Sequence, residues 1–167
     1  PGPVQAETLF QIGSISKTFV ATLIMRLVEA GKLNLDTPVR AYIPALQLRD
    51  EYALQHATLR HCLQHTGGWL GDYFDDFGLG ENALAKIVAA MAQLPQITPL
   101  GELWSYNNAG FYLAGHVIER VMHQPFEQVM QEWIFDPLEL KQAYYFAEDV
   151  ITQSFAVGHE RVQDRAV

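Results

Sequence analysis

The chain has 167 residues, 49% hydrophobic and 11% aromatic, enough apolar content for one ordinary buried core. Its 19 Asp and Glu outweigh 11 Lys and Arg for a formal net charge of -8, which works against nucleic acid, whose binding draws on clustered cations that displace counterions. The single cysteine, Cys62, cannot form a bridge within the chain, so there is neither a disulfide framework nor a zinc-finger spacing, and the redox compartment stays open.

In chain order, residues 9–12 are short and apolar and predict a strand or extended approach, after which Gly13 allows a sharp turn into a helix from about residue 14 to residue 30. The polar positions Thr18, Thr22, Arg26 and Glu29 form one narrow stripe on that helix, and a helix apolar on most sides belongs inside a protein. The same polar residues interrupt the longest apolar stretch, which is too short to cross a bilayer. Gly31 supplies the stop, and Asp36-Thr37-Pro38 reads as a cap and first-turn proline for a short helix closed by Pro44. Thr58 caps another helix, which runs through Leu59, Cys62 and Leu63 until Gly67-Gly68.

Residues 69–80 mix aromatic, acidic and glycine residues without a period and predict a surface loop. Asn82 then precedes the helical stripe Leu84, Ile87, Val88 and Met91, residues 95–101 form a loop, and a fifth helix follows Asn108. Pro125 opens a sixth, with Phe126, Val129, Met130, Trp133 and Ile134 on one face. Residues 143–146 and 155–157 are the only late strand candidates. The N-terminus has neither a basic start nor an apolar signal core, so no export signal is visible.

Two constellations can carry chemistry. In Ser14-Ile15-Ser16-Lys17 the serine sits at a helix start, where unpaired backbone N–H groups and the positive end of the macrodipole favour developing negative charge. Residues three apart share a helical face, so Lys17 can place its amine beside Ser14 and help remove the hydroxyl proton. A capping serine and a snorkelling lysine would leave the same string, and Ser16 is a competing cap. The second constellation is Tyr106-Asn107-Asn108 just ahead of a helix. A phenol near a cationic lysine can act as general base, and a side-chain amide can hold both the lysine and a substrate carbonyl. The plainer alternative is a half-buried tyrosine followed by Asn108 as helix N-cap.

With these motifs in place, FQIGSISKTF at residues 10–19, GKLNLDTPV at 31–39, LRHCLQHTGG at 59–68, PLGELWSYNNAGFYLAG at 99–115, PFEQVM at 125–130 and DPLEL at 136–140 together resemble the class C β-lactamase-like branch of the serine β-lactamase and penicillin-binding-protein superfamily. The resemblance covers nearly the whole chain. It implies an α+β, β-lactamase/transpeptidase-like fold of which residues 1–167 form a single, incomplete domain, the mostly helical part with few strands. It implies further that Ser14 is acylated, that Lys17 and Tyr106 shuttle its proton, and that Asn108 positions Lys17 and the substrate. No metal or organic cofactor is implied. The substrates implied are β-lactams, D-alanyl peptides or carboxylic esters. Trp69 and Tyr73, in the loop between the two motifs, are candidate substrate contacts. For the full-length protein a periplasmic or secreted location is favoured over the cytoplasm.

Two departures stand out. The family carries a third motif, K-T-G or H-x-G, on a late strand, whereas the only such string here is His65-Thr66-Gly67, at the end of a helix where the family has H-T-S-G, a structural position. The strands and helix ahead of the serine motif, and the strands after the last matched segment, are also missing, and with them the second oxyanion donor. The chain alone is therefore expected to be inactive, and a complementing chain or segment is expected to supply the sheet. Two other readings compete. His61 and His65, four apart with His56 nearby, could suggest a zinc hydrolase, but the residues between them lack the H-E-x-x-H glutamate. A non-catalytic binding or assembly protein could keep the same fold.

Overall fold

A computed structural model describes residues 3–78, 80 and 82–159, and the backbone of 161–162 and 165–166. The chain enters its first helix at Gly13, whose φ of +52° is a backbone conformation that side chains disfavour. A 3₁₀ turn, Gly13–Ile15, leads directly into α1, Ser16–Glu29. The expected helix start at residue 14 is therefore the tighter turn, and the α-helix proper begins two residues later. The extended approach ahead of it is held by a late segment. Leu9 donates its N–H to the Ser154 carbonyl at 2.8 Å and accepts from Ala156 N–H at 2.9 Å, making a parallel bridge between Leu9 and Phe155. The predicted segments 9–12 and 155–157 thus meet, but in a single bridge.

The remaining helices are α2 (Val39–Tyr42), α3 (Glu51–His56), α4 (Leu59–Leu63), α5 (Ala83–Ala90), α6 (Ala109–Met122), α7 (Phe126–Met130) and α8 (Ala147–Val150). After α7 the chain continues as one π-helical turn, Gln131–Phe135. Among the described residues the only named strands, β1 (Arg161–Val162) and β2 (Arg165–Ala166), pair antiparallel. This is the helix-rich, strand-poor chain the sequence predicts. Among the described residues, no helix is long and apolar enough to cross a membrane.

Helix α6 forms the centre. Leu113, Ala114, Val117 and Ile118 are fully buried and join Leu23, Ile24 and Leu27 of α1, Leu59 of α4, Ile87 and Val88 of α5 and Val129 and Met130 of α7 in one apolar cluster. Burying such side chains contributes about 1.5–3 kcal/mol each before entropy is counted. α1 buries Leu23, Ile24 and Leu27 in this core and packs Phe19, Val20 and Val28 half-buried against it, while Met25 stays exposed. The expectation of a helix buried on most sides is therefore corrected: α1 lies on the core with one face.

Asp36 does not cap α2 as expected, since Pro38 occupies the N-cap position. Its carboxylate instead receives two hydrogen bonds from the Arg60 guanidinium, at 2.6 and 2.7 Å, and this pairing holds its pKa below the usual carboxylate value. Thr58 does cap α4: its hydroxyl accepts from His61 N–H while His61 Nδ1 accepts from Thr58 N–H, a reciprocal capping box. α4 ends at Leu63, ahead of the glycine pair. Helix α3, capped by Asp50, has too few turns to leave a periodic signature. Residues 143–146 form no strand, and α8 follows them. Of the predicted loop 69–80, Leu79 lies outside the described residues, and the rest has no helix or strand, apart from the isolated bridge of Trp69 to Gln96.

Candidate active site

The site lies where the start of α1 meets the segment entering α6. Ser14 and Lys17, one helical turn apart, project together, and Lys17 Nζ donates to Ser14 Oγ at 3.1 Å. The same ammonium donates to Asn108 Oδ1 at 2.8 Å, across 91 positions of sequence. It also stands 4.9 Å from the centre of the Tyr106 ring and 5.5 Å from that of Phe111, positions where the negative face of an aromatic ring attracts a cation.

Asn108 is free to meet Lys17 because its neighbour does the capping. Asn107, 2% exposed, accepts the Gly110 N–H on Oδ1 at 2.8 Å and donates from Nδ2 to the Trp69 carbonyl at 2.7 Å. Asn108 makes no side-chain cap bond, so the plainer reading of Asn108 as N-cap belongs to Asn107 instead. The Asn108 backbone is fixed by its N–H donating to Gly71 carbonyl at 3.2 Å. Gly71 is required at that crossing, because a Cβ there would stand 2.3 Å from the Tyr106 carbonyl oxygen.

Tyr106 is 43% exposed, with its ring beside Lys17. The neighbouring Lys17 ammonium first, and the Ser14 hydroxyl second, hold the phenol below its ordinary 10.0. An anion is favoured beside a cation, so the basic form becomes accessible at lower pH. Behind Tyr106 lies His65, its ring stacked at 4.6 Å between centroids and its Nδ1 accepting the Asn107 N–H at 3.0 Å. Burial, and then the charge of Lys17, push the His65 pKa down. The expectation for His65 from the sequence is a structural position. The only available signal was a histidine closing a helix just ahead of two glycines.

Trp69 and Tyr73 are placed otherwise than expected. Both side chains are turned into the core, 2% and 4% exposed, and the Tyr73 hydroxyl donates to the Ile87 carbonyl at 3.1 Å. Large aromatic rings gain more by covering apolar surface than by lining an open loop. Phe74 is the aromatic of that loop left exposed. The histidines of the zinc reading go to separate partners: His56 stacks on Tyr52, His61 serves the α4 cap and His65 stacks on Tyr106. Among the described residues no group of three His, Cys, Asp or Glu is placed to hold a metal ion. His116 pairs with Glu119 at 3.0 Å, and His123 closes α6 in the left-handed conformation.

A serine and lysine one helical turn apart, joined by a Tyr-x-Asn segment at the entrance to a central helix, define a class of helix-rich serine-lysine proteins. The chain belongs to the beta-lactamase family, whose model, described as "Beta-lactamase", matches residues 1–165. It is 33% identical over 93% of its length to penicillin-binding protein 4 of Amycolatopsis lactamdurans, covering 41% of that protein. It is 28% identical over 99% of its length to esterase EstB of Burkholderia gladioli, covering 45% of it. Among solved structures, the octameric penicillin-binding protein homologue from Pyrococcus abyssi superposes with a TM-score of 0.84 at 30% identity, over 99% of this chain and 40% of that one. The family is one of hydrolases, and the fold is that of penicillin-binding proteins and β-lactamases, of which this chain is mostly the helical part. The chain spans about two fifths of the length of these relatives.

Proposed function

We propose that these residues carry the acylation machinery of a serine hydrolase that acts on β-lactams, D-alanyl peptides or carboxylic esters. The observation that carries this reading is the bridging position of Lys17, 3.1 Å from Ser14 Oγ and 2.8 Å from Asn108 Oδ1, beside a phenol whose pKa it lowers. Because Lys17 donates to the serine oxygen, the hydroxyl hydrogen is left free to point elsewhere, and Tyr106 is the base this reading assigns to it. Ser14 Oγ attacks the substrate carbonyl carbon while its proton passes to the Tyr106 phenolate. The bond to the leaving nitrogen or oxygen then breaks as that atom takes the proton back from Tyr106. Water attacks the resulting ester, and the acid product leaves Ser14 free. Lys17 completes the base system with Tyr106, and Asn108 orients Lys17 and the substrate.

The partner this reading needs is a segment or complementing chain that supplies the missing sheet and the second oxyanion donor. The exposed Phe10, Ile12, Phe155 and Val157 beside the Leu9–Phe155 bridge support it, since clustered exposed apolar side chains mark a contact surface. The test is intact-mass profiling of the full-length protein with a reporter penicillin, a D-alanyl peptide and a p-nitrophenyl ester, wild type beside Ser14→Ala. An adduct on wild type that is absent from Ser14→Ala is expected. Labelling that survives the substitution sinks the reading, and no labelling by any reagent favours a binding or assembly protein.

A further inference from the structure

We infer that His65 is a positioning residue for Tyr106, holding the phenol against Ser14 and Lys17 by gripping three consecutive residues at once. The inference rests on the proposed role of Tyr106. The His65 carbonyl accepts the Ser105 N–H at 2.9 Å, the ring lies on Tyr106 at 4.6 Å with 28° between planes, and Nδ1 accepts the Asn107 N–H at 3.0 Å. The residue before Tyr106, Tyr106 itself and the residue after it are all tied to one side chain and its own backbone. The ring is in turn bounded by Phe111 at 5.3 Å and by the edge of Trp104 at 5.9 Å.

Two further features fit positioning rather than filling. His65 has φ +58°, a left-handed conformation that non-glycine residues adopt at a cost, and such strain persists where surrounding structure holds it in place. An imidazole that accepts on Nδ1 must be neutral there, with its proton on the other nitrogen. The nearby Lys17 charge and partial burial favour that neutral form. The consequence is that the backbone on both sides of Tyr106 is tied to His65, and the phenol leaves the ring stack if it swings away. Small displacements matter here: misplacing a reacting group by about 1 Å costs on the order of 100-fold in rate.

The test compares His65→Ala and His65→Asn with wild type in the full-length protein, reading the acylation rate of Ser14 and the titration midpoint of Tyr106. The midpoint is followed by carbon-13 NMR of labelled tyrosine, assigned with Tyr106→Phe. His65→Asn keeps an acceptor near Nδ1 and suits a left-handed backbone, but loses the ring. We expect acylation to fall about 10-fold in His65→Asn and about 100-fold in His65→Ala, with the Tyr106 midpoint rising toward 10.0 in both. A merely structural role would lower the melting temperature and leave the midpoint of the folded protein where it was. Folded variants with an unchanged midpoint and rate overturn the inference. Should His65→Ala not fold, an unmoved midpoint in His65→Asn overturns it alone. Should wild type never acylate, the proposed function fails, and the Tyr106 midpoint still decides the role of His65.

Discussion

Asn107 and Asn108 are adjacent and chemically identical, yet one holds the fold and the other faces Lys17. Asn107→Ala removes a helix cap and leaves the Trp69 carbonyl without its side-chain donor, so a loss of about 1–3 kcal/mol is expected in denaturant unfolding. The Tyr106 phenol gives a second prediction at this scale. Its basic form grows with pH, so acylation of Ser14 should rise with pH through a midpoint below 10.0, the ordinary value from which Lys17 and Ser14 lower it. Lys17→Ala removes the largest cause of that lowering. The midpoint should then move up and the rate at neutral pH should fall by about 10²–10⁴-fold. A midpoint that stays in place in Lys17→Ala would dismiss Tyr106 as the base.

At the scale of elements, α4 is a five-residue helix kept in place by its ends. Its capping box uses His61 where glutamate or glutamine is usual, and the box needs Nδ1 neutral to accept the Thr58 N–H. Burial lowers the His61 pKa below 6.5 in the fold, while the unfolded chain takes up its proton near 6.5. The contribution is therefore fully present above pH 6.5 and is lost as pH falls through the folded value. His65, also lowered, adds to the same acid window. Melting temperature should drop between pH 7.5 and pH 5.5, and His61→Gln, which can keep the box without titrating, should drop less. Equal drops in the two proteins would show that the box does not sense acid.

For the whole molecule, one apolar cluster runs from α1 to the π-helical turn, so the site is mounted on a packed helical body rather than on a free loop. The approach to α1, by contrast, exposes Phe10, Ile12 and Ile15. If the proposed sheet covers this face and brings an oxyanion donor, the 167 residues expressed alone should fold but acylate at least about 100-fold more slowly than the full-length protein, the usual effect of one missing donor. Side-by-side rates from intact mass measure this. Equal rates would mean that the chain carries every donor it needs.

Patterns that act within a few residues were legible in the sequence. The apolar period of α5 and α6, the Thr58 cap, the turn at Gly13 and the one-turn spacing of Ser14 and Lys17 all depend on hydrogen bonds and side-chain directions set inside one element. Only packing decided the rest: which asparagine meets Lys17 across 91 positions, that Asp36 pairs with Arg60 instead of capping a helix, that Trp69 and Tyr73 turn inward, and that His65 lies against Tyr106. Each of those side chains has several chemically satisfactory partners, and a linear string does not rank them. The choice falls to whichever partner the buried helices bring within hydrogen-bond or van der Waals reach.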